Sequence, residues 1–199
     1  MTTADWTTPP TLRGRHVSLE ALTPAHADGL RDAVEDGRLY ELWYTNVPEA
    51  KDVDAYIEGA LAKQAKGDQL AFVVRDGAGK VVGTTRYYEL APEVPRLQIG
   101  YTWYAASVQR TGLNTEAKLL LLGHAFETLR CASVGLQTSW FNLASRTAIA
   151  RLGAKEEGIT RNHVRHRDGT LRDTVNFSII DAEWAAVKQN LVGRLGRYA

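Results

Sequence analysis

The sequence predicts an α+β fold in which one mixed sheet is flanked by helices. Short runs of alternating apolar and polar residues come first along the chain, and a glycine-rich turn at residues 76–79 joins two of them. From Leu97 onward, strand-like runs alternate with runs of helical periodicity. No internal repeat, linker or low-complexity tract interrupts the 199 residues, so a single domain is expected.

Four strands are predicted in the first half of the chain, at His16–Leu22, Leu70–Arg75, Val81–Tyr88 and Leu97–Tyr104. Thr23-Pro24 places a capping residue before proline, which predicts a helix that runs to about Gly37. Asp52 begins a second predicted helix, which ends before Gly67. Residues 1–11 contain Pro9-Pro10 and are expected to form a loose arm, which leaves residues 12–199 for the domain.

The second half of the chain predicts three helices and three strands. Apolar residues from Leu119 to Leu129 predict a helix with more than one buried face, and Gly153 closes a helix that starts at Asn142. A final helix is expected from Asp181 to Leu195. The strands are Ser133–Thr138 and a hairpin of Lys155–Arg167 with Leu171–Ile179, turning at Asp168-Gly169.

Composition excludes several classes of protein. Apolar residues make up 44% and charged residues 24%, which is ordinary for a globular domain. The formal net charge of +1 gives no argument for a nucleic acid or an anionic membrane as partner. The single cysteine, Cys131, excludes an internal disulfide and a cysteine-rich zinc site, and the histidines show no metal-binding spacing, so no metal is expected. Neither a signal peptide nor a membrane span is apparent, and the cytoplasm is the expected compartment.

The segment from Val108 to Lys118 carries the strongest functional signal. It joins a predicted strand to a predicted helix, and such a turn aims several backbone N–H groups at one point beside the positive end of the helix dipole. That geometry suits a pyrophosphate, and Gly112 would allow close approach of the backbone. The pattern is neither a Walker loop nor a dinucleotide fingerprint, so its spacing alone fits an ordinary strand-to-helix connection equally well.

Gln109 and Gly112 match the Gln/Arg-x-x-Gly-x-Gly/Ala motif of acyl-CoA-dependent N-acyltransferases of the GNAT superfamily, although Asn114 stands where Gly or Ala is usual. Other segments resemble the ribosomal-protein N-terminal acetyltransferase branch, the RimJ/RimL-like proteins. They are Gly100–Trp103, Asn114–Lys118, Asn142–Arg146, Arg151–Ala154, Arg172–Val175 and Phe177-Ser178. The resemblance extends from about Leu12 to Leu195.

The resemblance implies a mostly antiparallel sheet that splays beyond Gly100–Tyr101 to admit acetyl-CoA. Unpaired backbone groups there would bind the pantetheine amides, and an N–H near Trp103 or Tyr104 would polarise the thioester carbonyl. The cofactor-binding residues implied are Trp103, Tyr104, Gln109, Arg110, Thr111, Gly112, Leu113, Asn114, Thr115 and Asn142.

Catalytic roles are implied for Ser145 and Gln98. Taken alone, Asn142 predicts a helix N-cap and Ser145 a solvent-facing residue of the first turn. The resemblance implies instead that Asn142 contacts coenzyme A and that Ser145 protonates the leaving thiolate. Gln98 departs from the branch, which often has Glu there, and Gln98 could only hold a water. No general base is therefore assigned, because a water chain can carry the proton away.

Two further groups of residues leave alternatives open. Trp140 and Phe141 could pack on neighbouring loops, wall an apolar acceptor pocket or form a subunit contact. Alternation along one strand would place Arg161, His163, Arg165 and Arg167 on one face, which is a solvated outer face or a surface for an acidic partner or RNA.

The resemblance implies an acetyl-CoA-dependent N-acetyltransferase that acts directly on a primary amine, above all a protein N-terminal α-amine of the ribosomal-protein type. The acceptor would be a peptide or a small-molecule amine, with no membrane or nucleic acid as partner, and a homodimer stays open. The alternative is a non-catalytic module on the same fold that binds acyl-CoA or a macromolecule.

Overall fold

The computed structural model describes residues 5–198. Its strands are β1 (Leu12–Arg13), β2 (Val17–Ala21), β3 (Gln69–Asp76), β4 (Val81–Ala91), β5 (Arg96–Tyr104), β6 (Ser133–Ser139), β7 (Lys155–Arg165) and β8 (Leu171–Ile180). Its α-helices are α1 (Ala27–Glu35), α2 (Val53–Ala65), α3 (Leu113–Gly123), α4 (Leu143–Leu152) and α5 (Asp181–Leu195).

One sheet contains all of these strands, in the order β1-β2-β3-β4-β5-β6-β8-β7. Its pairs are antiparallel except for β5 and β6, which are parallel and are joined through α3. The predicted α+β class with a mixed, mostly antiparallel sheet is confirmed.

The parallel pair separates part-way along its length. β5 and β6 are in register from Arg96 opposite Ser133 to Ile99 opposite Leu136, and no further. Beyond Ile99, β5 continues to Tyr104 without β6, while the end of β6 pairs only with β8. The splay implied by the resemblance is therefore present, and we call this opening the β5–β6 gap.

A β-bulge lies where the gap begins. Gly100 pairs with Arg86 and Trp103 pairs with Thr84, so two residues of β5 stand opposite the single residue between them on β4. One of the two, Tyr101, has a φ of 52°, which is rare for a residue with a side chain. A bulge of this kind bends its strand and increases the local twist, which turns β5 away from β6.

Helices cover both faces of the sheet. Tyr87, Leu97 and Ile99 are buried on the face covered by α3, and the Tyr87 hydroxyl donates to the Leu121 carbonyl at 2.6 Å. Alternate residues of the same strands point to the opposite face, where the Tyr56 hydroxyl of α2 lies 2.9 Å from Thr84 Oγ1. The sheet therefore lies between α3 on one face and α2 on the other.

The predicted helices and strands are confirmed, with ends that differ by a few residues. The sequence did not predict β1, or the wider π-helical turn at His124–Thr128 that extends α3. Residues 1–4 of the expected arm lie outside the described residues, and Trp6 within the arm packs against the core.

Replacing Gly83 by alanine is expected to lower the free energy of unfolding by about 3 kcal/mol, because overpacking against a backbone that cannot move is costly. A Cβ on Gly83 would lie 2.0 Å from the Trp103 carbonyl oxygen on β5. Chemical denaturation measures the loss. The control is Gly59→Ala on α2, where a Cβ meets nothing within 4 Å and a gain of about 1 kcal/mol is expected. Equal stability of the Gly83 variant and the wild type would contradict the close approach.

Candidate active site

The backbone N–H and C=O groups of Tyr104 and those of Trp103 point to opposite edges of β5. The Ala105 N–H donates to the Val82 carbonyl at 2.8 Å, so Ala105 and, by alternation, Trp103 direct their backbone groups towards β4. Tyr104 directs its backbone groups into the β5–β6 gap, where its carbonyl accepts from Gln109 Nε2 at 3.0 Å. Of the two N–H groups left open by the sequence, that of Tyr104 is the one that points into the gap. The side chain of Trp103 is engaged separately, since its indole N–H donates to the Tyr56 hydroxyl at 3.3 Å.

The turn before α3 presents a set of unpaired backbone donors. Arg110 adopts a left-handed conformation with φ of 59°. The N–H groups of Arg110, Thr111, Gly112 and Asn114 have no hydrogen-bond partner among residues 5–198. Unpaired N–H groups at a helix N-terminus form an anion site.

Other groups of the same turn form hydrogen bonds within the protein. The Gln109 N–H donates to the Ala106 carbonyl at 3.0 Å, and its side-chain amide holds Tyr104, so Gln109 braces the turn against β5. The Thr111 hydroxyl donates to the Val108 carbonyl at 2.7 Å and accepts from the Leu113 N–H at 3.3 Å. The sequence analysis assigned Gln109, Thr111 and Leu113 to the cofactor, and the structure shows that they also form these hydrogen bonds within the protein.

Gly112 makes room for His16. A Cβ on Gly112 would lie 3.1 Å from the His16 ring, in the connection between β1 and β2. That connection is held by Glu116 of α3, whose carboxylate accepts from the N–H groups of Arg15 at 2.9 Å and His16 at 2.5 Å. Sequence reasoning missed this clamp, although an acidic residue in the first turn of a helix is a recognisable signal.

Asn142 and Ser145 lie where β6 passes into α4, on the far side of the β5–β6 gap. Asn142 Oδ1 accepts from the Ser145 N–H at 3.0 Å, which confirms Asn142 as the N-cap. Its carboxamide oxygen is thus engaged, and the NH₂ group is the part available to a ligand. Ser145 is half-buried, and its hydroxyl has no partner among the described residues.

Gln98 lies on the part of β5 that still pairs with β6. Its side chain extends over Gly135, where a Cβ would come within 2.3 Å of Gln98 Oε1. That oxygen is buried and has no partner among residues 5–198. The depression around it is lined by Glu89, Ser178 and Glu157 among others. Gln98 could hold a water, as predicted, but it lies on the part of β5 that is still paired with β6.

Sequence reasoning missed a buried lysine beside the bulge. Lys118 of α3 is 6% exposed, and its ammonium nitrogen donates to Thr102 Oγ1 at 3.0 Å. Thr102 Oγ1 lies 2.7 Å from Thr85 Oγ1, so the three side chains form a buried polar row. Burial lowers the pKa of Lys118 to about 7. The signal in the sequence is its helical spacing to Leu121 and Leu122, which places Lys118 on the apolar face.

Trp140 and Phe141 pack against neighbouring groups, as one of the three interpretations holds. The Phe141 ring centroid lies 5.2 Å from that of Trp43 in the connection between α1 and α2, and the Arg146 guanidinium covers Trp140 at 4.1 Å. Phe141 still keeps 56% of its surface exposed. The sequence did not predict the contact with Trp43.

The cations of β7 are exposed, as a solvated face requires, but they do not form an uninterrupted row. The register of β7 shifts between Thr160 and Val164, and Arg167 lies beyond the end of the strand. Three of the side chains have local partners: Arg161 pairs with Asp173, His163 contacts Thr174, and Arg165 donates to the Gly169 carbonyl. The prediction of four cations on one strand face is wrong, because the register shift interrupts the alternation and the strand ends before Arg167.

One protein-family model matches this chain. The model of the GNAT acetyltransferase domain matches residues 16–155. This chain belongs to the GNAT family. It is an N-acetyltransferase, as two curated relatives also indicate by name.

Relatives and solved structures cover most of the chain. The Bacillus subtilis (strain 168) protein named "Putative ribosomal N-acetyltransferase YdaF" is 24% identical over 177 residues, which are 87% of this chain and 96% of that protein. A GCN5-related N-acetyltransferase from Brucella melitensis is 29% identical with a TM-score of 0.84, covering 97% of this chain and 88% of that one. Mycobacterium smegmatis RimJ, solved with CoA-disulfide, is 23% identical with a TM-score of 0.76 and 93% of each chain covered, and shows the shared fold.

Among the described residues, no helix has the length and apolar character needed to cross a membrane. Within the same residues, no group of three or more His, Cys, Asp and Glu side chains is placed to hold a metal ion.

Proposed function

We propose that the protein transfers the acetyl group of acetyl-CoA directly to a primary amine, with a protein N-terminal α-amine as the acceptor. The observation that supports this most strongly is the β5–β6 gap, because unpaired N–H groups of Tyr104 and of the Arg110–Asn114 turn line it. These are the donors that a thioester carbonyl and a pyrophosphate require.

Acetyl-CoA would lie along the free edge of β5. The pyrophosphate would bind the N–H groups of the turn from Arg110 to Asn114, with Thr115 in the first turn of α3 and the Arg110 guanidinium as further contacts. A pantetheine amide N–H would donate to the Tyr104 carbonyl, as in an added strand, because that oxygen has a second lone pair beside the one that Gln109 uses. From the far side of the gap, the NH₂ group of Asn142 would hold the same arm.

The reaction needs no acylated residue. The uncharged amine attacks the thioester carbonyl, the Tyr104 N–H stabilises the oxyanion, and the carbon–sulfur bond breaks as Ser145 donates a proton to sulfur. The proton lost by the amine passes to water, because Gln98 cannot act as a base, and Ser145 regains a proton from water. Holding both reactants in one complex removes much of the entropic barrier.

The choice of a protein N-terminus as acceptor is supported by the name of YdaF and by the motifs shared with the RimJ/RimL-like branch. A ribosomal or other peptide in the cytoplasm would fit the proposal. Two readouts test it together: release of the free coenzyme A thiol, and a gain in peptide mass of one acetyl group. Acetyl-CoA binding without either readout, across peptides and small amines, would favour the non-catalytic module.

Gly112→Val is expected to abolish the stabilisation that acetyl-CoA gives. Acetyl-CoA at about 100 times its Kd should raise the free energy of unfolding of the wild type by roughly 2.7 kcal/mol. The valine side chain would crowd both the phosphate and the His16 ring, which lies 3.1 Å from the Cβ position. Melting with and without acetyl-CoA measures the change.

Two further variants, His16→Ala and the double variant His16→Ala/Gly112→Val, separate crowding of the phosphate from crowding of the His16 ring. The alanine at position 16 removes the ring that a larger side chain would meet, so the double variant should fold as well as His16→Ala alone. His16→Ala should keep the shift with acetyl-CoA, and the double variant should lose it. A full shift in the folded double variant would place the pyrophosphate elsewhere.

A further inference from the structure

Three buried side-chain nitrogens have no hydrogen-bond partner among residues 5–198. They are Arg86 Nε, Arg172 Nε and His166 Nε2. A buried polar atom without a partner is costly, so each one in a native structure calls for an explanation. A ligand that brings hydrogen-bond acceptors would satisfy the two guanidinium donors.

Both guanidiniums lie near Tyr101. Arg86 is 4% exposed, and its guanidinium carbon lies 4.5 Å from the ring centroid of Tyr101 and 4.6 Å from that of Tyr56. Burial lowers the pKa of Arg172, and the nearby phenols of Tyr88 and Tyr101 oppose that effect. The rings of Tyr88 and Tyr101 are 5.2 Å apart. Arg86, Arg172 and Tyr101 thus belong to one cluster, which we call the Tyr101 cluster.

No carboxylate of the described residues forms an ion pair that would balance the positive charge of the Tyr101 cluster. Neither guanidinium forms an ion pair there, and Glu89, beside Tyr88, makes none either. Lys63 adds a further cation, 5.9 Å from the Tyr101 ring. Arginine does not lose its proton in proteins, and buried charges are normally paired. Stacking on aromatic rings compensates a desolvated cation only in part.

The Tyr101 cluster lies where an acceptor amine would arrive. Tyr101 belongs to the bulge, at the point where β5 leaves β6. Arg86 and Tyr88 point away from α3, since Tyr87 between them is buried under that helix. Acetyl-CoA approaches from the turn at the start of α3, so the amine must come from the other face. One residue of extended chain spans about 3.5 Å, so a negative group beside Tyr101 would lie within a residue or two of the amine.

We infer that the acceptor is a primary amine with a carboxylate close to it, and that Arg86 and Arg172 bind this carboxylate beside Tyr101. The inference rests on the proposed function and narrows its substrate class. An Asp or Glu side chain at the first or second position of a peptide provides this chemistry, and so does the α-carboxylate of a free amino acid. The paired, planar donors of arginine suit a carboxylate in either case.

Matched peptides test the inference. Peptides amidated at the C-terminus, with Asp or Glu at one of the first two positions, are compared with the same peptides carrying Asn or Gln, and free amino acids form a separate arm. The wild type should have a kcat/KM roughly ten- to a hundredfold higher for the acidic member of a pair, as expected for a hydrogen bond to a charged group. Acetylation of free amino acids without any preference for acidic peptides would identify the bound group as the α-carboxylate of a free amino acid.

Arg172→Gln should bring the two members of a pair to similar kcat/KM values, mainly by lowering that of the acidic peptide. Arg165→Gln is the matched control, because it removes the same charge from an exposed side chain whose partner is the Gly169 carbonyl. It should keep the preference. Arg172→Lys, which retains the charge, should keep part of it and serves as the second variant if the glutamine variant does not fold.

The outcomes are distinguishable. Equal rates for both members of every pair in the wild type would overturn the inference and leave the proposed function intact, as would an equal loss of preference in Arg172→Gln and Arg165→Gln. If neither peptide is acetylated but the acidic one raises the melting temperature more, the proposed function fails and the carboxylate site stands.

Discussion

Ser145→Ala is expected to lower kcat by about a hundred- to ten-thousandfold, the usual contribution of a positioned proton donor. The leaving thiolate needs a proton as the carbon–sulfur bond breaks. The Ser145 hydroxyl is free to donate because it makes no hydrogen bond with the described residues, while its N–H is held by the Asn142 cap. The rate at saturating acetyl-CoA and saturating acceptor measures the loss, and the Kd for acetyl-CoA should change little.

Thr147→Ala is the matched control for Ser145. It removes an exposed hydroxyl from the same helix, two residues away, and should leave kcat unchanged. Wild-type turnover of Ser145→Ala combined with a raised Kd for acetyl-CoA would make Ser145 a binding residue. Turnover and Kd both equal to those of the wild type would reduce Ser145 to a helix residue without a part in the reaction.

Lys118→Met is expected to change how stability depends on pH. The pKa of Lys118 falls from 10.5 to about 7 on folding, because burial disfavours the ammonium. Between these two values the unfolded chain binds more protons than the folded one, so the free energy of unfolding of the wild type rises with pH. Below about pH 7 both states are protonated, and the folded state bears the full cost of the buried charge.

That cost amounts to about 5 kcal/mol at most, taking 1.36 kcal/mol per unit of pKa. Lys118→Met should therefore have its largest stability advantage over the wild type below pH 7, and the wild type should recover through pH 10. Denaturation at several pH values measures the difference, with Lys66→Met, which replaces an exposed lysine, as the control. A difference between Lys118→Met and the wild type that is constant from pH 6 to pH 10 would contradict a neutral Lys118 in the folded protein.

The sequence predicted the fold well because its local signals agree with its tertiary contacts. Gly153, expected to close α4, takes a φ of 107°, and Asn142 caps the same helix as its residue type suggests. The alternation of apolar residues in β5 places Leu97 and Ile99 in the core. The short strand β1 escaped prediction because two residues carry no period, and it exists only through its pairing with β2.

The candidate site was less predictable because it depends on long-range contacts. Neither the clamp from Glu116 to the N–H groups of Arg15 and His16 nor the proximity of Arg86 to Tyr101 follows from local spacing. The bulge at Tyr101 is another example, since it appears only when β5 is laid against β4. The direction of the Tyr104 and Trp103 N–H groups depends on that bulge, because the register of β5 on β4 decides which N–H groups face the gap.

The most direct test of the proposed mechanism is the position of acetyl-CoA in a crystal structure of its complex with this protein. The pyrophosphate should accept hydrogen bonds from N–H groups between Arg110 and Asn114, and the thioester carbonyl should accept from the Tyr104 N–H in the β5–β6 gap. Acetyl-CoA bound elsewhere, with β5 and β6 closed on each other at Tyr104, would contradict the account.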